Sequence, residues 1–311
     1  MIYTVTLNPA IDKTVEIPGF TAGKVNRIQS LRVDAGGKGI NVTKCLTNLG
    51  TDSTAAMLVG GSSGKNIQQM LAEQNIRTLA VSVSGETRTN LKIIDPTGHS
   101  NTDINEPGPF VGEEALDELK KQIGQQIHAG DAVILSGSLP KGADPATYKT
   151  WCTYFQELGA LVYLDADGEA MKEGIQAVPY MVKPNDEELS RLLGKPLETL
   201  EDLVQAGQSL LNMGIQDVVI SLGSKGGLFL NREGCFLAEA LKVPVRSTVG
   251  AGDSMVAAMA YGKEKNLPRQ QQIQLAVAMG AASVMCDGTQ APDRELVWEL
   301  AKQVTIKEVE G

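Results

Sequence analysis

Short apolar runs separated by helical patterns are the feature that most limits how this chain can fold. Most intervals between the runs carry apolar residues at helical spacing, as at 38–49, and the pattern at 145–158 follows Asp144, which we expect to cap it. Strands that alternate with helices pair in parallel through right-handed crossovers. We therefore predict an α/β fold of three layers, α/β/α, with a mainly parallel central sheet. The predicted strands lie at 3–7, 53–59, 132–135, 161–164, 180–182 and 218–221.

Two segments, 12–34 and 86–106, break this rhythm because polar and apolar residues alternate within them, as in half-buried strands. We predict that the two segments pair as a small second sheet, a lid over the carboxyl edge of the main sheet. Two unrelated surface hairpins are the alternative. No repeat, low-complexity tract or linker divides the chain, so we expect one domain over 1–311. The alternating stretches are 13–17, 25–33, 87–94 and 101–103.

The composition excludes several kinds of function. The chain has 28 basic and 37 acidic residues, a net charge of −9, and therefore lacks the basic surface on which general nucleic-acid binding depends. Two histidines, His99 and His128, and four scattered cysteines give no zinc-ligand spacing, so we expect carboxylates to carry any acid–base chemistry. With no stretch of the ~20 apolar residues that a membrane span needs and no secretory signal, we expect a cytoplasmic protein that binds no membrane.

Three familiar motifs were compared with the sequence. The P-loop and the G-x-G-x-x-G dinucleotide fingerprint are both absent. Residues 60–64 match the G-x-S-x-G nucleophile elbow between a predicted strand and a predicted helix, which makes a serine hydrolase using Ser62 a remote alternative. The glycine-rich oxyanion motif of such enzymes is missing, however, which argues against that interpretation.

The strongest local signal is the segment Ser-Thr-Val-Gly-Ala-Gly-Asp-Ser-Met at 247–255, which leads into a helix of small residues. Its glycines allow close backbone approach, and a helix N-terminus offers free amides and a positive dipole end, so the turn is a candidate anion site. Asp253 would repel a bound phosphate unless it had a chemical task. As a general base it could accept a hydroxyl proton beside a phosphoryl group held by the amides. A plain helix cap is the alternative.

A second glycine-rich loop, at 34–41, also opens a predicted helix. Gly37 and Gly39 allow close backbone contact, Lys38 offers a point charge, and Asn41 offers both a donor and an acceptor. These properties suit a small molecule that carries hydroxyl and phosphate groups. An ordinary strand-to-helix turn with a solvated lysine is the alternative.

Together the two loops resemble the two signatures of the ribokinase-like (PfkB) carbohydrate kinase family. The first signature is Gly-Gly-Lys-Gly-Ile-Asn at 36–41, and the second is Ser-Thr-Val-Gly-Ala-Gly-Asp at 247–253. The segments 6–12, 104–109 and 136–140 are similar to the branch of this family that contains 1-phosphofructokinase and tagatose-6-phosphate kinase. The resemblance extends from about residue 2 to the final helix and implies the ribokinase-like version of the predicted fold.

The resemblance also implies an activity. The expected reaction is transfer of a phosphoryl group from ATP, with Mg²⁺, to the 6-hydroxyl of D-fructose 1-phosphate, which gives fructose 1,6-bisphosphate. Tagatose-6-phosphate kinase and 6-phosphofructokinase activities are the alternatives. Related 6-phosphofructokinases carry an arginine where this chain has Asn26, and this departure weakens the assignment of a 6-phosphate substrate. A homodimer through the lid is a further expectation, since many relatives pair in this way.

The resemblance implies a role for each candidate site residue. Asp253 would be the catalytic base, and the amides of Gly250, Ala251 and Gly252 would form the anion hole. The sugar phosphate would contact Asp12, Gly37, Lys38, Asn41, Arg88 and Ser138, with Lys24 and Arg27 either adding positive charge or lying on a solvated face. ATP would contact Lys183, Asn185, Ser221, Gly223, Ser224 and Gly226, with the adenine pocket around 278–283. Asn185 and Glu188 would hold Mg²⁺, largely through water, or simply cap a helix.

Overall fold

Strands and helices alternate along the computed structural model, which describes residues 1–309. No helix within that range has the length and apolarity to cross a membrane. The strands of residues 1–309 are β1 (Ile2–Thr6), β2 (Ala10–Glu16), β3 (Ser30–Gly36), β4 (Ser53–Val59), β5 (Arg77–Ser82), β6 (Arg88–Asp95), β7 (Ser100–Asn105), β8 (Ala132–Ser136), β9 (Leu161–Asp165), β10 (Met181–Val182), β11 (Asp217–Ser221), β12 (Gly227–Asn231), β13 (Gly234–Ala238) and β14 (Ile306–Val309). The helices are α1 (Lys38–Asn48), α2 (Gly61–Glu73), α3 (Glu113–Gly124), α4 (Thr147–Glu157), α5 (Gly168–Gly174), α6 (Asp186–Leu193), α7 (Leu200–Asn212), α8 (Ala251–Glu264), α9 (Arg269–Val284) and α10 (Arg294–Ala301).

Ten of the strands form one large sheet in the order β14-β13-β12-β11-β10-β9-β8-β1-β4-β5. The pairing is parallel from β11 to β5 and antiparallel from β11 to β14. Every residue of β4 is buried, as expected for a parallel strand covered on both faces. The predicted mainly parallel sheet is confirmed. The antiparallel edge from β12 to β14 has no counterpart among the predicted strands.

Helices cover both faces of the large sheet because side chains alternate along each strand. In β1, Tyr3 and Val5 belong to an apolar core that contains Trp151 and side chains of α3 to α7. Ile2 belongs to the opposite core, which contains Val256 and side chains of α1, α8, α9 and α10. The three-layer arrangement predicted from the sequence is therefore confirmed.

The four remaining strands form the predicted small sheet, in the order β3-β2-β6-β7. Its register places Asp12 opposite Asn90 and Thr14 opposite Lys92 on one face, and that face lines a cleft at the large sheet. The next residue along, Val15, points the other way and is buried in a small apolar cluster. The sheet thus presents a polar face to the cleft and a more apolar face away from it.

The predicted helix at 145–158 is present, but its expected cap at Asp144 is wrong, and so is the start of one predicted strand. The helix expected at 145–158 begins at Thr147, because Asp144 accepts a hydrogen bond from the amide of Ala146 in a turn that precedes the helix. The strand expected at 25–33 begins only at Ser30. The residues before it form a loop that Asn26 closes, since its side chain exchanges hydrogen bonds with the backbone of Thr21 at 3.0 and 2.9 Å.

Candidate active site

A cleft of about 540 Å³ lies at the carboxyl ends of the parallel strands, between the large sheet and the small one. Ligands of open α/β sheets bind at this edge, where the strand order reverses, and here β4 and β8 flank β1 on its two sides. Several of the strands end in polar residues or glycine at this edge. Those that line the cleft include Thr6 and Asn8 near the end of β1, Ser136 and Gly137 at the end of β8, Asp165 of β9, Lys183 after β10 and Ser221 of β11.

The N-terminus of α8 forms part of the cleft wall. Its N-cap residue is Gly250, in the left-handed conformation at φ 83°, and no side chain caps the helix. Within residues 1–309 the amides of Ala251, Gly252 and Asp253 have no acceptor among the backbone and side-chain hydrogen bonds. The capping alternative for Asp253 is therefore wrong, because the cap is a glycine, and the helix end keeps free donors for an anion.

Asp253 is buried beside these amides, with 5% of its surface exposed. Its Oδ2 accepts a hydrogen bond of 2.8 Å from Nδ2 of Asn41, so the two glycine-rich loops meet although 212 positions separate the residues. Burial and the nearby charge of Asp165 raise the pKa of Asp253 to about 6, against the opposing effects of Lys38 and Asn41. Asp253 is thus mostly ionised at neutral pH and is a stronger base than an exposed aspartate.

Asp165 is the acidic residue at the floor of the cleft, with 1% exposure. Its Oδ1 lies 3.4 Å from Nζ of Lys38 and 3.4 Å from Nζ of Lys183. Burial opposes its ionisation, but the two ammonium groups overcome that cost and lower the pKa of Asp165. A Cβ at Gly252 would lie 3.0 Å from Nζ of Lys183, so this cation reaches the turn of α8. The cleft therefore has two cations at its anion-binding end.

Unpartnered polar atoms are concentrated in this cleft. Most of the buried side-chain oxygens and nitrogens that lack a hydrogen-bond partner within residues 1–309 belong to residues that line it. Buried polar groups without partners are costly, so such a concentration indicates a polar ligand that supplies the missing bonds. The atoms in the cleft are Oγ1 of Thr6 and Thr289, Oδ1 of Asn8, Asn41 and Asn90, Oγ of Ser136 and Oδ2 of Asp165.

Three of the predicted sugar-phosphate residues, Asp12, Arg88 and Ser138, lie at the end of the cleft under the small sheet. Arg88 donates through Nε and Nη2 to the carbonyl of Asn8 at 3.2 and 3.0 Å, and through Nη1 to the carbonyl of Glu106 at 3.1 Å. These contacts hold the guanidinium in place and leave two of its five N–H groups for a ligand. Ser138 accepts from Nδ2 of Asn8 at 3.4 Å. Asp12 accepts from Asn90 at 2.9 Å, and all these residues except Glu106 line the cleft.

Some predicted residues lie outside the cleft lining. Lys24 and Arg27 are exposed in the loop between β2 and β3, and the sequence pattern had placed Arg27 in a strand. Gly223, Ser224 and Gly226 form the turn after β11, beyond Ser221. The segment 278–283 belongs to α9, and two of its residues come near the start of α8: Oγ of Ser283 lies 3.9 Å from a Cβ placed on Gly250, and a Cβ placed on Gly280 would lie 3.7 Å from the carbonyl oxygen of Ala251.

Asn185 and Glu188 line the cleft and form a capping box at the start of α6. Asn185 Oδ1 accepts from the amide of Glu188 at 2.7 Å, and Glu188 Oε2 accepts from the amide of Asn185 at 2.9 Å. The helix-cap interpretation is confirmed. Glu188 Oε1 makes no hydrogen bond within residues 1–309. Across the same residues, no three His, Cys, Asp or Glu side chains converge as a metal-binding cluster.

Several cleft residues were missed by sequence reasoning: Asp165, Asn8, Asn90, Lys92 and Thr289. A signal for Asp165 exists, because it directly follows the apolar run 161–164, whose carboxyl end lies at the ligand-binding edge. Lys92 lies on the alternating segment after Arg88, and its Nζ donates to Oγ of Ser247 at 3.3 Å. No sequence pattern indicates that contact, since it joins residues far apart in the chain.

The serine hydrolase alternative has no support. Ser62 donates to Oε1 of Glu86 at 2.9 Å, and the same oxygen accepts from the amide of Ser63 at 2.5 Å, so the carboxylate holds the first turn of α2. Neither His99 nor His128 makes a hydrogen bond to Ser62 in the described part of the chain. A nucleophilic serine needs such a base.

A mainly parallel sheet, a smaller covering sheet and a helix start with free amides at the cleft between them are the features of a ribokinase-like sugar kinase. The chain belongs to the pfkB family of carbohydrate kinases, whose family model matches residues 5–296. It is 35% identical to 1-phosphofructokinase of Haemophilus influenzae (100% of this chain, 99% of that one) and of Bacillus subtilis (98% and 99%). A solved structure of phosphofructokinase-2 from Escherichia coli in complex with substrates and products is also similar: TM-score 0.93, 30% identity, 97% and 98% coverage. The family predicted from the two loops is confirmed, and the chain is a kinase.

The charge of Asp165 predicts a change in pH dependence. In the Asp165→Asn variant the pKa of Asp253 should fall, because a negative charge that raises it is removed while Lys38 and Lys183 remain. The acidic limb of the pH profile of kcat/KM, with a midpoint near 6 in the wild type, should move to lower pH. Asp117→Asn, which alters an exposed carboxylate on α3, is the control. An unchanged or higher midpoint in Asp165→Asn would contradict the assigned coupling.

Proposed function

We propose that this kinase transfers the γ-phosphoryl group of ATP to the 6-hydroxyl of D-fructose 1-phosphate, with Asp253 as the general base. The observation that carries the proposal is a buried, ionisable carboxylate beside free helix amides, facing the unpartnered hydroxyl-binding atoms of the same cleft. A base next to an anion-binding turn suits phosphoryl transfer to an alcohol.

The proposed chemistry is a single phosphoryl transfer in which each group of the cleft has one task. Asp253 accepts the proton of the 6-hydroxyl while the hydroxyl oxygen forms a bond to the γ-phosphorus of ATP. The bond between the γ-phosphorus and the β–γ bridging oxygen breaks, and ADP leaves. The amides of Ala251, Gly252 and Asp253 stabilise the negative charge of the transferring group. Lys183 and Lys38, held by Asp165, add positive charge at the same end. The small sheet excludes water that would otherwise hydrolyse ATP.

The sugar phosphate is assigned to the end of the cleft near the small sheet. Arg88, which has two N–H groups left for a ligand, would bind the 1-phosphate, since its planar fork matches phosphate oxygens. Asp12 and Asn41 would bind sugar hydroxyls, together with the backbone at Gly37. Two features favour the 1-phosphate over a 6-phosphate. The first is the similarity to relatives named 1-phosphofructokinase. The second is Asn26, which stands where related 6-phosphofructokinases carry an arginine and whose side chain closes its own loop.

The oxygen atoms near the nucleotide end fit Mg²⁺. Glu188 has one oxygen outside its capping bond, and Oδ2 of Asp165 is buried without a partner, while Mg²⁺ prefers oxygen ligands and keeps several waters. Asn185 and Glu188 would hold the ion largely through water, beside Ser221 and Lys183 on the ATP side. The ion would neutralise charge on the phosphates.

A comparison of substrates tests the proposed function. We expect kcat/KM for D-fructose 1-phosphate to exceed that for D-tagatose 6-phosphate and D-fructose 6-phosphate by at least about tenfold, because a misplaced phosphate leaves the polar groups of the site unpaired. An assay coupled to ADP release measures all three, with unphosphorylated fructose as the control for the phosphate contact. Preference for either 6-phosphate, or no transfer to any sugar phosphate, would contradict the proposal.

We further propose a homodimer through the small sheet. Leu31 pairs with Val15 and Ile104 pairs with Leu91, so both lie on the face of the small sheet that points away from the cleft. Leu31 is 56% exposed and Ile104 is 52% exposed. Val33 lies on the same face and is also exposed. Exposed apolar side chains on both edge strands of this face, around the exposed Lys13 of β2, suit association with a second copy.

The mass in solution tests this assembly. Light scattering after size exclusion should give twice the 33.0 kDa of one chain, and the double variant Leu31→Asp/Ile104→Asp should give a single chain. Met213→Asp, which places the same charge on an exposed apolar residue after α7, should leave the mass unchanged. A wild-type mass of one chain, or an unaltered mass in the double variant, would argue against pairing through this face.

A further inference from the structure

Lys92 is a cation in the cleft wall for which the proposed reaction has no role. It is half-buried on β6, its side chain lines the cleft, and its Nζ donates to Oγ of Ser247 at 3.3 Å. An ammonium group has three N–H donors, and this is the one hydrogen bond that the ammonium group of Lys92 makes within residues 1–309. Two donors and the positive charge are therefore left for a ligand.

The charge of Lys92 has no carboxylate partner within the described residues. Asp103 is its register neighbour on β7 and also lines the cleft, yet in residues 1–309 the two side chains form no ion pair. Lys38 and Lys183, by contrast, share the carboxylate of Asp165. A cation that faces a polar cleft without a counter-charge favours the binding of an anionic ligand.

The contact with Ser247 places the ammonium group beside the candidate anion site. Ser247 is 2% exposed, and its Oγ also accepts a hydrogen bond of 3.3 Å from the amide of Val249. Val249 and Gly250 line the cleft, and Gly250 is the N-cap residue of α8, after which the free amides begin. Lys92 therefore brings a positive charge from the small sheet to the start of α8.

Strand β6 carries a second cation, Arg88, at the other end of its cleft face. Arg88, Asn90 and Lys92 alternate along the strand, so they share the face that lines the cleft, and about 13 Å of strand separates the first from the last. Arg88 binds the carbonyl of Asn8, which follows β1. Lys92 binds Ser247, which precedes α8. The strand thus crosses the cleft with a cation near each end and a carboxamide between them.

This arrangement matches the product of the proposed reaction more closely than its substrate. In the proposed function the 1-phosphate binds Arg88, and the 6-hydroxyl meets Asp253 at the start of α8. Fructose 1-phosphate has no charged group at that second end, whereas fructose 1,6-bisphosphate has its other phosphate there. A second cation on β6 therefore has an anion to bind only once the phosphoryl group reaches the 6-hydroxyl.

We propose that Lys92 is a further catalytic residue, whose ammonium group binds the phosphoryl group during its transfer and then the 6-phosphate of the product. The inference deepens the proposed function and rests on it. Lys92 stays protonated and exchanges no proton, so the bonds that form and break are those of the proposed transfer. Its positive charge adds to the stabilisation that the free amides of α8 and Lys183 provide.

Binding of two ligands tests the proposal directly. By calorimetry, Lys92→Met should weaken the binding of fructose 1,6-bisphosphate about tenfold, as expected for loss of a charge-assisted contact, and should change the dissociation constant of fructose 1-phosphate by less than about twofold. Lys92→Arg should keep most of the bisphosphate affinity because it keeps the charge, and Lys92→Gln repeats the test if Lys92→Met does not fold. Lys121→Met, on the exposed surface of α3, is the control. A lysine that merely stabilised the fold would not change the ratio of the two affinities.

Two further measurements separate the charge of Lys92 from its contact with Ser247. Ser247→Ala removes the hydroxyl that accepts from Nζ but leaves the ammonium group, so the ratio of the two affinities should stay within about twofold of the wild-type ratio. In Lys92→Met, kcat should fall about tenfold or more, whereas the KM values of fructose 1-phosphate and ATP should change by less than about twofold, because the lost contact forms during transfer.

An unchanged affinity ratio in Lys92→Met and Lys92→Gln would overturn the proposal. An equal loss in Ser247→Ala would overturn it too, since the lysine would then act only through that hydroxyl, and so would a loss confined to ATP, which would place Lys92 at the nucleotide. A wild-type enzyme that phosphorylates none of the three sugar phosphates would contradict the proposed function instead. The two failures are therefore distinguishable.

Discussion

The cleft depends on one buried carboxylate, that of Asp165, and on the two lysines beside it. Lys38 opens α1 and Lys183 follows β10, so the contacts join a helix start and two strand ends at the same point. Removing such charges from water is unfavourable unless they compensate one another. Burial and this same carboxylate together raise the pKa of Asp253, so one negative charge holds two cations near the start of α8 and makes the neighbouring aspartate more basic.

The alternation of side chains between the two faces explains how the small sheet can serve two purposes. Because successive side chains point to opposite faces, Asp12, Asn90 and Lys92 reach the cleft while Val15 and Leu31 face away from it. In the proposed function, the polar face supplies the groups that would contact the sugar. The apolar face stays partly exposed, and pairing with a second copy would cover it. The two proposals would thus place substrate binding and assembly on the same strands.

Sequence reasoning predicts most of the fold, because uniformly apolar runs such as 53–59 and the alternating segments have clear periods. It also singles out Asp253 and Asn41, since glycine-rich turns mark helix starts that bind ligands. It misses Asp165, whose importance comes from burial and from the ammonium groups of Lys38 and Lys183, which belong to other elements of the chain. Local sequence carries no record of such contacts. It also places Arg27 in a strand, where a loop closed by the side-chain hydrogen bonds of Asn26 lies instead.

The central claim is that Asp253 removes the proton of the attacking hydroxyl, and Asp253→Asn tests it most directly. The asparagine keeps the size of the side chain and removes its basicity. Turnover of D-fructose 1-phosphate should fall by about 10²- to 10⁴-fold, the usual contribution of general base catalysis, while calorimetry should show the dissociation constant of ATP unchanged within about twofold. Turnover close to that of the wild type, with ATP still bound, would contradict the account.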